Sequence, residues 1–478
     1  MFDSSSSQDL ADALTGEIHD LPAGTRITTH RELVRRFGVS ATTVSRALAI
    51  LTRRGLIDSR PGAGTYRTAA RPEARAGDTA WQEAALELTN HIGSPSGTPR
   101  GFKAPALLST LATAGPDVVD LNGGYLHPEL QPLTALATAL SRAARRTGAW
   151  DRPPVGGVPE LRDWFAADIG GGLGRHDVLV CGAGQSALAT ALRALGQPGD
   201  PVVVESPTYP GTMAAAHAAG LRMVPVPLDG DGIRADYLDE ALTRTGARVV
   251  VVQPLFQNPT GTSAPIERGR EIRAIARGHG AFVVEDDFAR HMAHADSGPT
   301  PPPLIADDPD GTVVHIRSLT KATSPNLRVG ALAARGPVVA RLRAALVVDT
   351  MFVPAPLQLT ALEVVTAPGW KRGLAALGSA LAHRRRTAVD AVSATFGAHA
   401  LAVVPRGGYH LWVSLPDHLD GRQFSAAALT NGVALTPGDN YYPTDNSAPH
   451  VRLSYVAAPS AADVGDAVRR LGPLLAEG

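Results

Sequence analysis

Apolar residues recur at a helical spacing near the N-terminus of the chain. This spacing predicts three helices, over residues 8–18, 28–37 and 41–51. Gly38 ends the second helix, and Ser40 can cap the third because its hydroxyl can accept a hydrogen bond from the first turn. Short strands on either side of residues 61–64 predict a small hairpin. This order indicates a helix-turn-helix followed by a wing.

The third predicted helix is amphipathic and lies in a basic region. Its inward stripe is formed by Val44, Leu48 and Leu51. Its outward positions are polar and comprise Thr42, Thr43, Ser45 and Arg46. Residues 26–67 contain nine arginines against one glutamate and one aspartate, a local charge of +7. Such a surface suits the phosphate backbone of DNA, although solvated arginines on a plain three-helix bundle would give the same composition.

After the hairpin the sequence changes to linker composition and then to an α/β pattern. Residues 69–102 are rich in alanine, proline, glycine and arginine, with a short helix predicted over 79–92. Farther on, helical stretches alternate with β-branched runs at 201–205, 247–253 and 281–285, which is typical of buried parallel strands joined by crossover helices. We therefore predict a helix-turn-helix unit over 1–68, a linker over 69–102, and an α/β domain over 103–478 with a smaller subdomain from about residue 350.

The bulk composition is that of a globular protein. The 478 residues are 44% hydrophobic and 19% charged, with a formal net charge of zero. No apolar run approaches the roughly 20 residues of a membrane span, and the N-terminus lacks the basic-then-apolar order of a secretion signal. The single cysteine, Cys181, excludes an intramolecular disulfide, so we expect a cytoplasmic protein that does not contact a membrane.

Lys321 is one of only three lysines in the chain, because arginine carries nearly all of the positive charge. A primary amine that can lose its proton condenses with an aldehyde to a Schiff base, whereas a guanidinium stays charged and cannot. Lys321 is therefore the first candidate for a reactive group.

Two glycine-containing turns follow predicted strands, where doubly wound folds bind their ligands. Gly184 and Gln185 lie in a strand-to-helix turn whose free backbone N–H groups can face an anion. Tyr209 lies on a loop after the next strand, where its ring could stack on a planar group. Each signal alone is weak, since glycines in such turns and tyrosines on such loops often serve packing.

Polar side chains follow three further predicted strands. Asn258 can donate to a phenolate oxygen, and Asp286 could pair with a pyridinium nitrogen and so keep a ring electron-withdrawing. Helix capping would explain the acidic triplet around Asp286 equally well. Ser318, Lys321 and Arg328 share one loop, which offers a hydroxyl, an amine and a guanidinium for a phosphate and an aldehyde.

A set of short motifs runs through the N-terminal segment, at residues 21–27, 31–33, 38–40, 42–44, 47–48, 55–57 and 62–65. By these motifs the segment resembles the winged-helix DNA-binding domain of the GntR family. The resemblance implies that DNA is contacted by Arg31, Thr42, Thr43 and Arg46, with Gly62 and Gly64 letting the wing approach the backbone. Ala41 stands where the family commonly has arginine, so one contact is expected to be missing.

Further motifs accompany the candidate ligand-binding residues, at 121–130, 157–162, 405–412, 432–438 and 451–454. Together they resemble the fold-type I pyridoxal-phosphate enzymes of the class I/II aminotransferase kind over about residues 103–478. The resemblance implies an α/β fold with a large mixed-sheet domain and a smaller C-terminal α/β domain. It implies pyridoxal 5'-phosphate as the cofactor and no metal ligands.

The resemblance also implies a role for each candidate residue. Lys321 would form the Schiff base with the cofactor, Asp286 would bind the pyridine nitrogen and Asn258 the ring oxygen. Tyr209 would stack on the ring, and Arg452 would bind a substrate or effector carboxylate through two hydrogen bonds. The cofactor phosphate would be held by Gly184, Gln185, Ser318 and Arg328.

Phe288 is the informative departure from the family pattern, because it stands where a tyrosine hydroxyl normally donates to the cofactor's ring oxygen. Loss of that donor should raise the pKa of the Schiff base, since the deprotonated form with its negative ring oxygen is less stabilised. The loss does not by itself forbid binding or chemistry.

A winged helix followed by an aminotransferase-like domain resembles the MocR subfamily of GntR regulators. The resemblance implies a head-to-tail homodimer that binds a DNA operator and senses an amino acid, an amine or pyridoxal phosphate. Two alternatives stay open. The chain could be a working aminotransferase that carries a DNA-binding domain, or the large domain could serve only as a dimerisation scaffold.

Overall fold

A computed structural model describes residues 4–60, 63–68, 101–102, 104–444 and 448–476. The chain divides into two compact units, residues 1–89 and 90–478. The predicted linker over 69–102, with its helix over 79–92, lies almost entirely outside the described residues, so the domain boundaries stay predictions. Among the described residues, no helix is long and apolar enough to cross a membrane.

In its described part, the first unit consists of helices and one hairpin around a shared apolar core. The elements are α1 (Ser4–His19), α2 (His30–Phe37), α3 (Ala41–Arg53), β1 (Ile57–Arg60) and β2 (Gly64–Arg67). Leu14 of α1, Leu33 of α2 and Leu51 of α3 are buried together in this core. Strands β1 and β2 pair antiparallel. This is the predicted order of a helix-turn-helix and a wing.

Local hydrogen bonds fix where α2 and α3 begin. The Glu32 carboxylate accepts a hydrogen bond from the Thr29 N–H at 3.0 Å, within a reciprocal capping box. The Ser40 hydroxyl accepts one from the Thr43 N–H at 3.1 Å, which confirms the predicted cap of α3. Gly38 ends α2 with a φ of 62°, a left-handed conformation that suits glycine.

The second unit contains one large sheet, two smaller sheets and the helices around them. The strands of the large sheet are β4 (Val178–Cys181), β5 (Pro201–Ser206), β6 (Arg222–Asp229), β7 (Gly232–Ile233), β8 (Val249–Val252), β9 (Phe282–Asp287), β10 (Val313–Ser318) and β11 (Gly330–Ala333). The helices up to β11 are α4 (Pro105–Ser109), α5 (Leu133–Ala143), α6 (Pro159–Ile169), α7 (Ala183–Leu195), α8 (Pro210–Ala219), α9 (Ala235–Thr245) and α10 (Ile266–Gly278). Those after β11 are α11 (Val338–Thr350), α12 (Ala355–Thr366), α13 (Trp370–Phe396), α14 (Gly421–Thr430) and α15 (Ala461–Arg470).

The large sheet is mixed, with strand order β4-β11-β10-β9-β8-β5-β6-β7. Strands β10, β9, β8, β5 and β6 run parallel, whereas β11 is antiparallel to both of its neighbours and β7 to β6. Apolar clusters cover both faces of this sheet. For that reason Val202, Val203 and Val204 on β5 are all fully buried, although successive side chains point to opposite faces.

The smaller sheets belong to the C-terminal part of the unit. Their strands are β3 (Val119–Asp120), β12 (His410–Ser414), β13 (Val433–Ala434), β14 (Thr436–Pro437) and β15 (His450–Ser454). Strands β12, β15 and β14 form an antiparallel sheet in that order, and β13 pairs parallel with β3. The core around them includes Leu381 and Val464, and also Leu121 and Phe288 from earlier in the chain.

Three consecutive carboxylates, Glu285, Asp286 and Asp287, end strand β9, and each is at most 4% exposed. Glu285 accepts hydrogen bonds from the Leu304 N–H at 2.8 Å and from the His315 ring at 2.7 Å. These partners compensate the burial of Glu285 within the protein.

Asp287 is compensated by two arginines. Arg290 lies 2.5 Å and Arg317 lies 3.3 Å from the same Asp287 oxygen. Burial alone would raise the pKa of Asp287, but the positive charges of Arg290 and Arg317 outweigh it and hold the pKa at about 2. Arg317 also lies 3.1 Å from Asp168 on α6, so this ion network joins the sheet to that helix.

We expect Arg317→Leu to lower the free energy of unfolding by about 3 kcal/mol, because Asp287 and Asp168 each lose one of their two partners and the buried pair is left incompletely compensated by Arg290 and His291. Arg277→Leu is the matched control, since Arg277 is exposed and its pair with Asp310 should contribute at most about 1 kcal/mol. Urea titration of both variants measures the difference. Equal losses would show that the buried network does not stabilise the fold.

Candidate functional site

A cavity at the carboxyl ends of the central strands collects the residues that the sequence singled out. It encloses about 520 Å³ of space between atoms, part of which is open to solvent. Its walls include Gly184, Gln185, Tyr209, Asn258, Asp286, Ser318, Lys321 and Arg328, together with Tyr125, Gln253, Phe288 and Tyr409. All eight predicted cofactor-binding residues therefore share one cavity, while their individual roles stay predictions.

Asp286 presents one carboxylate oxygen to this cavity. The Gln253 side-chain amide donates to its Oδ2 at 2.7 Å, whereas its buried Oδ1 has no hydrogen-bond partner. Burial raises the pKa of Asp286 to about 6, although the Gln253 hydrogen bond and the charge of Lys321 lower it. A buried carboxylate with one open oxygen is complementary to a positively charged ring N–H.

Asn258 lies beside Asp286 and is equally buried. Its backbone N–H donates to the Gln253 side-chain oxygen at 3.0 Å, and its own side-chain oxygen has no partner. The side chain is only 2% exposed, so an unpaired polar group there costs free energy unless a ligand binds it.

The anion-binding corner is formed where α7 begins. Gly184 lies in the first turn of α7, and a Cβ there would come 3.8 Å from Ser318 and 3.9 Å from Asp286 Oδ1, between two other walls of the cavity. Arg328 donates to the Gly182 carbonyl at 3.0 Å. Ala183 and Arg328 both have positive φ, 69° and 49°, a sparsely populated conformation that occurs at ligand sites. Backbone N–H groups and a guanidinium thus converge on one corner.

Tyr209 forms another wall of the cavity. It immediately precedes α8, and its ring lies against Gly211 in the first turn of that helix. A Cβ at Gly211 would collide with the Tyr209 ring and with the Gln185 side-chain oxygen, so this position requires glycine. Gln185 also donates to the Gly211 carbonyl at 3.0 Å. Burial raises the pKa of the Tyr209 hydroxyl, which therefore stays protonated.

Lys321 has its amine between two aromatic rings. The Nζ atom donates to the Gly124 carbonyl at 2.8 Å and lies 4.1 Å from the Tyr125 ring centroid and 5.0 Å from that of Tyr409. Burial lowers the pKa of Lys321 to about 8, against an opposing effect of Tyr125. A neutral, nucleophilic amine is therefore accessible near physiological pH.

Arg452 on β15 is nearly fully buried, at 2% exposure. One of its terminal nitrogens donates to the Asn122 carbonyl, and its Nε has no partner. The guanidinium lies 5.7 Å from the Tyr409 ring centroid and 5.5 Å from that of Tyr441. The Tyr409 ring therefore lies near Arg452 as well as Lys321, which places the predicted carboxylate-binding guanidinium close to the predicted reactive amine.

The sequence assigns no role to Tyr125, Gln253 and Tyr409, which also line the cavity. Tyr125 lies in the motif at 121–130 and Tyr409 in the motif at 405–412, but both are far from Lys321 along the chain and neither motif indicates a contact with its amine. Gln253 ends the β-branched run at 247–253 and begins the segment that contains Asn258, and the sequence assigns it no role of its own. Phe288 packs edge-on against Tyr409, with ring centroids 6.0 Å apart, so a hydroxyl-bearing ring lies next to the position where the family hydroxyl is missing.

Three of the predicted DNA-binding side chains are exposed on the first unit, namely Arg31, Thr42 and Arg46. The predicted exposure of Thr43 is wrong. Its side chain is 6% exposed and its hydroxyl lies 2.8 Å from that of Ser40, because Thr43 is one helical turn from the buried Ala47 on the inward face of α3.

Of the two glycines predicted to let the wing approach DNA, the structure describes Gly64. Gly64 has a φ of 117°, and a Cβ there would come 2.6 Å from Arg26 Nε, so glycine lets Arg26 lie against the hairpin. Gly62 lies outside the described residues.

Comparisons with known proteins agree with both units. Residues 116–471 match the family model "Aminotransferase class I and II", and residues 6–66 match "Bacterial regulatory proteins, gntR family". The chain is 26% identical over 462 residues to the uncharacterised HTH-type transcriptional regulator YdfD of Bacillus subtilis, covering 95% of this chain and 93% of YdfD. It is also 26% identical over 465 residues to the uncharacterised HTH-type transcriptional regulator YdcR of Escherichia coli, covering 95% of each.

Among solved structures, the chain is similar to LysN, an α-aminoadipate aminotransferase from Thermus thermophilus crystallised with N-(5'-phosphopyridoxyl)-L-leucine. The TM-score is 0.74 with 27% sequence identity, over 83% of this chain and 98% of LysN. The second unit therefore has the fold-type I aminotransferase fold, whose members depend on pyridoxal phosphate.

The fold and the cavity define an aminotransferase-like protein that carries a helix-turn-helix domain. The chain belongs to the class I and II aminotransferase family, and its domain order is that of the MocR subfamily of GntR-type transcriptional regulators.

The low pKa of Lys321 predicts how the amine reacts. With pyridoxal 5'-phosphate added to the cofactor-free protein, the rate of Schiff-base formation should rise with pH through about 8, because the neutral amine is the nucleophile. Absorbance spectroscopy follows the reaction. Lys321→Ala should abolish it, whereas Lys371→Ala, which changes an exposed lysine, should leave it intact. If the Lys371 variant lost the absorbance signal and the Lys321 variant kept it, Lys371 and not Lys321 would form the Schiff base.

Proposed function

We propose that this chain is a DNA-binding transcriptional regulator that binds pyridoxal 5'-phosphate through Lys321 and senses an amine or amino acid at the same cavity. The observation that carries the cofactor proposal is the open, buried Oδ1 of Asp286 in a cavity that also holds Lys321. A protein that keeps a carboxylate buried with an unfilled hydrogen-bonding position stabilises it by binding a cation there.

The residues present fit this cofactor. Asp286 would hold the pyridine nitrogen, Asn258 the ring oxygen and Tyr209 a face of the ring. The phosphate would be bound at the start of α7 by Gly184, Gln185, Ser318 and Arg328. When bound, pyridoxal phosphate supplies an aldehyde that condenses with primary amines and a ring that withdraws electrons from them.

The first unit supports DNA binding. Arg31, Thr42 and Arg46 are exposed, and the region from 26 to 67 carries an excess of positive charge. The start of α3 is fixed by Ser40, so the polar side chains that follow are held on a rigid helix suited to the major groove. The operator sequence is to be found by selection from random DNA with the full-length protein.

On the selected operator, Arg46→Ala should weaken binding by about tenfold or more, because an arginine that contacts a base or phosphate contributes roughly 1–3 kcal/mol. Arg54→Ala is the control, since Arg54 is at the other end of α3 and donates to Asp12 at 2.7 Å. Fluorescence anisotropy at several salt concentrations, on the operator and on operators with single base changes, separates the two kinds of contact. Loss of a phosphate contact lowers the salt dependence of binding, whereas loss of a base contact relaxes the sequence preference. Equal effects of both substitutions would argue against α3 as the recognition helix.

The ligand-sensing proposal depends on the proximity of Lys321 and Arg452. The Tyr409 ring lies against both side chains, so a ligand whose amine replaced Lys321 on the cofactor aldehyde would have its carboxylate close to Arg452. Arg452 keeps its Nε without a partner, while its bond to the Asn122 carbonyl fixes the guanidinium. An amino acid would therefore be held by the cofactor at the end of the large sheet and by Arg452 on the smaller sheet, and this would favour one arrangement of the two.

Titration of the cofactor-loaded protein with amines and amino acids should give a stable shift of the cofactor absorbance for the effector, together with a change in operator affinity. Lys321→Ala should abolish the ligand-dependent change in operator affinity. Arg452→Leu should weaken the binding of ligands that carry a carboxylate more than the binding of simple amines, because only the carboxylate loses an ion pair with Arg452. If Lys321→Ala leaves the response to ligand intact, the large domain acts as a dimerisation scaffold.

A working aminotransferase is the second candidate, because Lys321, Asp286, Asn258 and Arg452 all lie at or beside the cavity. That activity would show as decay of the cofactor absorbance to the pyridoxamine form and release of a keto acid in the same titration. Phe288 favours sensing over efficient turnover, since the family hydroxyl is absent at its position.

We also propose that the chain acts as a head-to-tail homodimer, which would place two recognition helices on two half-sites. Trp150 is 78% exposed, and Val348 and Met351 are 87% and 66% exposed. Large apolar side chains at such exposure are suited to burial against a second copy of the chain.

A further inference from the structure

Gln253 connects the two residues that are proposed to bind the cofactor ring. Its Nε2 donates to Asp286 Oδ2 at 2.7 Å, and its Oε1 accepts from the Asn258 N–H at 3.0 Å. Both ends of one buried amide are thus used, one on each ring-binding residue. At 2% exposure, the amide has no competing solvent.

Gln253 is itself fixed by a second buried carboxylate. Its backbone N–H donates to Glu205 Oε1 at 3.1 Å, and the Gln257 side chain donates to Glu205 Oε2 at 3.1 Å. Gln257 also donates to the Pro207 carbonyl at 2.9 Å, in the loop that leads to Tyr209. The ends of β5, β8 and β9 are therefore joined by one hydrogen-bonded network behind the cavity.

We infer that Gln253 is a positioning residue, which directs the open Asp286 oxygen and the Asn258 side chain toward the cofactor ring and keeps Asp286 ionised against it. The inference rests on the proposed binding of pyridoxal phosphate. Gln253 does not take part in the chemistry and acts through the two residues that it holds.

The physical reason lies in the charge of Asp286. A carboxylate that accepts a hydrogen bond is stabilised in its ionised form, and the Gln253 bond opposes the burial that raises the pKa of Asp286. The titratable groups that face Asp286 are Glu285 and Asp287 on its own strand, Glu205 on β5, Lys321 on the loop after β10, and the hydroxyls of Tyr209 and Tyr409. Among the polar contacts described for Asp286, Gln253 is the one that donates to its side chain.

Without the Gln253 donor, a proton shared between Asp286 and the ring nitrogen would move toward Asp286. The ring would then withdraw fewer electrons from the Schiff base, whose nitrogen would keep its proton to a higher pH. The midpoint of the pH-dependent change in cofactor absorbance should therefore rise. A side chain with a purely structural role would not move that midpoint.

The test compares Gln253→Leu, which removes both hydrogen bonds at similar volume, with Gln253→Asn, which keeps an amide but is one methylene too short to span both partners. Gln358→Leu is the matched control. Gln358 is also fully buried and bridges two backbone groups, the Val158 N–H and the Val353 carbonyl, but it does not line the cavity.

Cofactor affinity and the absorbance midpoint are measured on the full-length protein loaded with pyridoxal 5'-phosphate. We expect Gln253→Leu to weaken cofactor binding about tenfold, as for a lost hydrogen bond to a charged group, and to raise the midpoint by on the order of half a pH unit. Gln253→Asn should change both quantities in the same direction and also serves if the leucine variant does not fold. Gln358→Leu should change neither.

An unchanged midpoint in both Gln253 variants, in a protein that binds the cofactor normally, would overturn the inference and leave the proposed function standing. If the wild-type chain does not bind pyridoxal phosphate at all, the proposed function fails and the inference fails with it. The wild-type titration distinguishes the two cases.

Discussion

The structure depends on how the second unit accommodates three consecutive buried carboxylates at the end of β9. Burying a charge is costly unless the protein supplies a partner, and two of the three have partners within the fold. Glu285 is satisfied by His315 and backbone N–H groups. The charge of Asp287 is balanced by Arg290 and Arg317 at its Oδ2, although its Oδ1 accepts no hydrogen bond. Asp286 has one donor and one open oxygen. The contacts of Glu285 and Asp287 tie the strand end to its neighbours, and of the three residues it is Asp286 that lines the cavity with an open oxygen.

The sequence predicted the parts of this arrangement that depend on local pattern. Continuous valine runs indicated strands buried on both faces, and the large sheet has them at its centre. The candidate residues at strand ends share one cavity because parallel strands bring their carboxyl ends to one edge of the sheet. The exposure of Thr43 was predicted wrongly, because the inward face of α3 is wider than a three-residue stripe and includes the position one turn before Ala47.

The remaining features depend on contacts that no local pattern records. Lys321 meets Gly124 and Tyr125 across nearly two hundred residues of chain, and Arg317 reaches Asp168 from a different layer of the fold. The role inferred for Gln253 follows from one hydrogen bond that its side chain donates and one that it accepts. A glutamine at the end of a strand does not predict either of them. Such residues become visible only when the distances between side chains are known.

The same contacts explain how binding could be transmitted without turnover. Lys321 follows the large sheet, whereas Arg452 belongs to the smaller one, and the Tyr409 ring lies against both. A ligand bound through its amine to the cofactor aldehyde beside Lys321, and through its carboxylate to Arg452, would stabilise the arrangement in which the two sheets are close. It would not stabilise an arrangement in which they are apart, and that difference is what shifts an equilibrium. Sensing of this kind requires that the cofactor is bound tightly in one orientation and that Arg452 binds the ligand carboxylate. It does not require the hydroxyl that Phe288 lacks.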